Sequence, residues 1–221
     1  MISRALVLLL CSVTCTAAGG LTQKASTVSN PVELPGDVAD RFLGGLKIVE
    51  LPEGKKIVSQ TMWPIRFRIG FSTPVFNRYT AVFDGPFSTD VPGVEGYRRV
   101  VDIEGRNESG AALTTRFALV LYQDRLDGRW RVISFAKSQD TDEAVAYFRK
   151  RLDQDKENPG YNHYILALTL VDAGKLLEAK DAFNKSLALS ETEDSSKILS
   201  VPKDEVRDYL DAIRSITGDR R

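Results

Sequence analysis

Cysteine and histidine are nearly missing: the 221-residue chain has two cysteines, Cys11 and Cys15, and one histidine, His163. There is no excess of charge of either sign, with 30 Lys plus Arg against 30 Asp plus Glu. This balance gives no sign of the clustered basic surface that nucleic acid requires. No apolar run beyond the N-terminus approaches the roughly 20 residues of a membrane-spanning helix. Also absent are a phosphate-cradling G-x-x-x-x-G-K-[ST] loop, a G-x-G-x-x-G turn and an EF-hand loop.

Both cysteines fall in residues 1–20, which read as a secretory signal. Met1 to Arg4 carries a positive charge, Ala5 to Val13 is apolar, and Thr14 to Gly20 supplies small residues, with cleavage expected near Ala18. The mature chain then holds no thiol. A disulfide framework, a cysteine nucleophile and a thiolate zinc site are all excluded. Lipidation of Cys15 is the alternative, although Ser12-Val13-Thr14 lacks the usual Leu. The expected location is periplasmic or secreted.

His163 occupies a core-facing helical position. Without a second histidine, Ser-His-Asp and Cys-His arrangements and histidine metal sites cannot be built. Asp84, Asp102, Glu104, Asp124 and Asp127 read as solvated residues of strand ends and turns. The arginines Arg66, Arg68, Arg98, Arg99, Arg116, Arg129 and Arg131 read as an ordinary solvated sheet face. No catalytic residue, cofactor or metal is expected, and the chain reads as non-enzymatic.

What is present is a change of period. Residues 21–36, with Pro31 and Pro35, read as a linker. Residues 37–43 predict a short helix, with Val38 and Phe42 spaced i, i+4 and Gly44-Gly45 as its stop. From Leu46 to Ala136 the pattern alternates. Strands are expected at residues 46–51, 65–71, 79–83, 98–104, 113–123 and 129–135. Asp127-Gly128 marks a hairpin between the last two. An antiparallel sheet of about five strands follows, in an α+β domain over residues 37–138. The hairpin ending in Gly128-Arg129-Trp130-Arg131-Val132 resembles the closing strands of cystatin-like or NTF2-like domains. That resemblance implies a curved sheet able to hold a small ligand, in a pocket lined by Phe67, Phe71, Phe83, Phe117 and Trp130.

Residues 141–218 have helical period. Four helices are expected, at residues 142–155, 161–172, 176–189 and 202–217, with Thr141 as the first N-cap and Gly218 as the final stop. Within them His163-x2-Leu166-Ala167-x2-Leu170 precedes Ala179-x3-Phe183, with Gly174 in the turn. Ala144-x3-Phe148 repeats the second half of that signature. The run resembles a tetratricopeptide repeat, with His163 at the family's Trp position and Ala167 at its Gly position. About three repeats are needed for a self-sufficient stack. The helices must therefore pack on the sheet, on another protein or on a second copy. By the resemblance, the partner-facing strip is Tyr161, Tyr164, Leu168, Val171 and Asp172. The expected function is an exported adaptor or scaffold, either homo-oligomeric or bound to another protein.

Overall fold

The computed structural model describes residues 33–65, 78–106, 111–155, 157–191 and 199–219. The expected signal and most of the linker lie outside them, as does most of the expected strand at 65–71, with Phe67 and Phe71. The chain runs α1 (Pro35–Lys47), α2 (Pro52–Thr61), β1 (Arg78–Ser88), β2 (Glu95–Arg106), β3 (Ala112–Gln123), β4 (Trp130–Lys137), α3 (Thr141–Gln154), α4 (Pro159–Asp172), α5 (Leu176–Ser190) and α6 (Lys203–Thr217).

Helix α1 starts on Pro35, whose fixed φ and missing N–H suit a first turn. Its stripe of Val38, Ala39, Phe42, Leu43 and Leu46 is buried. The expected stop at Gly44-Gly45 and the expected strand at residues 46–51 are both corrected. The helix continues because Leu46 extends its apolar stripe, and Gly45 is where α2 approaches. A Cβ there would lie 2.8 Å from Ile57 Cγ2. Pro52 then opens α2, a helix that the alternation did not announce.

Gly54 of α2 lies against the end of α1, and an added Cβ would sit 2.1 Å from the Ile48 carbonyl oxygen. Gly54→Ala is therefore expected to cost about 2–3 kcal/mol, read as a lower denaturant midpoint. Gly44→Ala, whose Cβ meets nothing within 4 Å, is expected to stabilise by about 0.5–1 kcal/mol.

Among the described residues the sheet has four strands rather than about five, in the order β1-β2-β3-β4, antiparallel throughout. Bulges fall between Ala81 and Phe83 and opposite Val120/Leu121. The Asp127-Gly128 hairpin forms, with Gly128 at φ +74°. Leu119, Val120, Leu121 and Tyr122 are all buried in succession. Such a run needs cover on both faces.

Helices α1 and α2 cover one face, packing on Val101, Ile103, Leu119, Leu121, Val132 and Phe135. The C-terminal helices cover the other, where Val120, Tyr122 and Ile133 join Leu166, Leu170, Phe183, Tyr209 and Ile213 in one cluster. The helices thus dock on the sheet. Asp140, not Thr141, caps α3, its carboxylate accepting from the Asp142 and Glu143 N–H groups at 3.0 Å. Among the described residues no helix is long and apolar enough to cross a membrane.

Two polar anchors correct the reading of solvated charges. Arg99 is only 6% exposed. It pairs with Asp40 of α1 and with Asp84 of β1. Burial opposes ionisation of Asp84, but hydrogen bonds from Arg99 and Tyr97 prevail and hold its carboxyl below the usual range. Asp124 is buried as well. It accepts from Ser215 Oγ of α6 at 2.6 Å, from Arg131 at 2.7 Å and from the Leu126 N–H at 2.8 Å, tying the last helix to the β3–β4 hairpin.

Candidate functional site

The C-terminal turn of α4 meets the sheet, and the sheet supplies its capping. A helix leaves its last four carbonyls without helical partners. Here the Tyr122 hydroxyl donates to the Val171 carbonyl at 2.7 Å. The Arg98 guanidinium donates to the Asp172 carbonyl. A cation at a helix C-terminus also meets the negative end of the dipole. Gly174 follows in the left-handed region at φ +78°. The Lys175 N–H reaches back to the Leu170 carbonyl at 2.9 Å, closing a Schellman turn. Asp90, in the β1–β2 loop, takes the Leu177 N–H on its carboxylate and so holds the start of α5.

At this junction lies a partly enclosed cavity of about 110 Å³, lined by Ser134, Phe135 and Ala136 of β4, Leu168, Val171 and Asp172 of α4, and Tyr209 of α6. Asp172 is half-buried as a residue, yet its carboxyl is in the interior: Oδ1 is buried and has no hydrogen-bond partner. Burial pushes this carboxyl up to about 6, against a hydrogen bond from Ser134 and the charge of Arg98. Burial, together with the Asp172 carboxylate, raises the Tyr122 and Tyr209 phenols. Tyr209 stacks on Phe183 with centroids 5.2 Å apart.

The five residues expected to form a free strip share one face of α4, and that face is turned inward. Tyr164 is 8% exposed and Val171 1%. Tyr164 donates to Glu205 of α6 at 2.6 Å. Tyr161 and Leu168 are partly buried against the same cluster. Leu168, Val171 and Asp172 line the cavity. His163, half-buried, has its imidazole pKa lowered by burial and by Lys185.

Strand register places Phe83, Val100, Ala118 and Ala136 in one row across the sheet, on the face shared with Arg98 and Val120. Among the described residues neither core cluster includes this row. Phe83 is 51% exposed; Ala136 is exposed, and Val100 and Ala118 are half-buried. The row ends at the cavity through Ala136. Beyond it Arg116 pairs with Asp102 at 2.7 Å. The aromatic set expected to line one pocket is divided. Phe117 and Trp130 pack on the α1–α2 side, Phe117 stacking on Phe135 at 4.9 Å, while Phe83 is on the opposite face.

No family model, curated protein or solved structure matches the chain.

The site therefore stands on its own chemistry: an apolar row, a small cavity and one interior carboxyl. Arg98, Tyr122, Ser134 and Tyr209 were not singled out as site residues from sequence. Their one signal was a phenol within an otherwise apolar stretch, at Tyr122 and Tyr209, where a buried hydroxyl needs a partner.

Proposed function

We propose that the protein is an exported, non-enzymatic adaptor that receives an extended segment of another protein in the groove between the open row of the sheet and the last turn of α4. The observation that carries this reading is the apolar row, which among the described residues belongs to neither core cluster and ends through Ala136 at a small cavity beside Asp172. An exposed apolar strip bounded by charge marks a contact surface. Complementary charge then selects a segment with a basic side chain.

The tetratricopeptide-like reading of residues 160–189 is supported by fully buried Ala167 and Ala179, small where α4 and α5 cross, and by Phe183 in the seam. In this reading the repeat-like hairpin walls the groove, and its inward strip is not itself the partner surface. Export rests on the charged, apolar, small-residue order of residues 1–20.

The test places a photoreactive side chain at Phe83, at Ala118 or, as control, at exposed Lys150 on α3, in the cells that make the protein. Adducts of one discrete mass are expected from Phe83 and Ala118, absent at Lys150, and lost with a second change, Val100→Glu, in a protein that still melts normally. Adducts from Lys150 alone, or none from any position, would overturn the reading.

A further inference from the structure

Helix α4 seats its last turn on the sheet through two side chains, Tyr122 donating to the Val171 carbonyl and Arg98 to the Asp172 carbonyl. Asp172 ends the helix. Its own carboxyl is folded inward, with Oδ1 buried and given no hydrogen bond. An interior carboxylate is costly unless it is paired. This one would also lie at the negative end of the helix dipole.

The groups that face Asp172 from the packed elements are Arg98 of β2, Tyr122 of β3, Ser134 of β4 and Tyr209 of α6. Two further carboxylates act on those phenols, Asp90 on Tyr122 and Glu205 on Tyr209. Arg98 is the one cation of this set, and its guanidinium donates to the backbone carbonyl and lies over the Phe87 ring at 5.0 Å. The seat is also incompletely packed. The cavity of about 110 Å³ lies between the α4 turn and β4, and atoms that line a void lack the contacts that would hold the turn down.

We infer that the last turn of α4 is a pH-sensitive latch, seated on β2 and β3 while the Asp172 carboxyl carries its proton and released locally when that proton passes to water. On release the carboxylate reaches solvent, and Tyr122 and Arg98 give up the two carbonyls. The latch follows from the junction alone and does not need the groove, although the turn is one wall of it.

The test is amide hydrogen exchange of the full chain between about pH 4 and pH 8, read at Ala173, Gly174 and Lys175, whose N–H groups bond the carbonyls of Thr169, Val171 and Leu170. The carboxyl titrates at about 6 when seated and at the ordinary value of about 3.9 when released. A raised value in the seated form means that low pH favours the seat. Rates corrected for the intrinsic pH dependence of exchange should therefore rise about tenfold per pH unit between about pH 4 and pH 6, about a hundredfold in all, and then level. At constant pH they should not change in low urea, the mark of a local opening that exposes little surface.

Asp172→Asn, which keeps the shape of the acid and never ionises, should lack the rise. His163, on the same helix, is held below its ordinary value by burial and Lys185. Its effect has the opposite sign and is common to both proteins. Corrected rates that stay flat with pH in the unaltered protein, or that rise equally in Asp172→Asn, overturn the inference. So does exchange at these amides that accelerates in urea as global unfolding does, because the carboxyl would then act on the whole fold and not on the turn.

Discussion

Asp172→Asn is expected to stabilise the protein near neutral pH by on the order of 2–3 kcal/mol. The Asp172 carboxyl titrates in the fold at about 6 and in the unfolded chain at about 3.9. A raised pKa means that the fold prefers the protonated form. The group's contribution is therefore fully present below about pH 4 and is lost as pH rises through about 6. Asparagine keeps the size of the protonated acid and never ionises. The two proteins should have similar denaturant midpoints below about pH 4 and diverge between about pH 4 and pH 6, with the Asn form more stable. Asp84 and Asp127, whose carboxyls are held below the usual range, work the other way, losing stability as pH falls. Both proteins share them, so the difference isolates Asp172. A pH-independent difference, or a less stable Asn protein, would show that the carboxyl is solvated or already paired.

Phe183→Ala is expected to cost about 4 kcal/mol. The ring is fully buried. It stacks on Tyr209 and lies 6.4 Å from the Tyr164 ring. Phe183 belongs to the same cluster as Val120, Tyr122 and Ile133 of the sheet and Trp63 before it. Thermal unfolding should therefore stay a single transition, with fluorescence of Trp63 and Trp130 moving together with the loss of helical signal. Two transitions, with only the helical one shifted, would mean that the helices fold as a separate domain.

Much of this architecture was legible in the chain. Val38 and Phe42 announced α1, Asp127-Gly128 the last hairpin, and Val206, Tyr209, Leu210, Ile213 and Ile216 the face of α6. Misreadings arose where a short pattern served two structures. Leu46 to Leu51 alternates as a strand would, yet Leu46 completes a helical stripe and the remainder is a turn before Pro52. Residues 119–122 are continuously apolar, which is the mark of a strand covered on both faces. The reading of residues 46–136 as alternating, with one solvated face, passed over that run, and the structure covers both faces.

The site was the least legible part. Helical period showed that Tyr161, Tyr164, Leu168, Val171 and Asp172 share a face. Period does not say whether a face meets a partner or the chain's own sheet. That was decided by contacts 49 and 74 residues away in sequence, from Tyr122 and Arg98. The depth of Asp172 is likewise a property of the assembled junction, not of its neighbours in sequence.

If the inward face of α4 is consumed within one chain, the open row of the sheet is what remains for a partner. The most direct test is the mass of the purified protein in solution by light scattering across a wide concentration range. A monomer is expected throughout, with Tyr161→Ala leaving the mass unchanged. A dimer that Tyr161→Ala or Leu168→Ala dissociates would contradict it, because that face would then belong to a second copy.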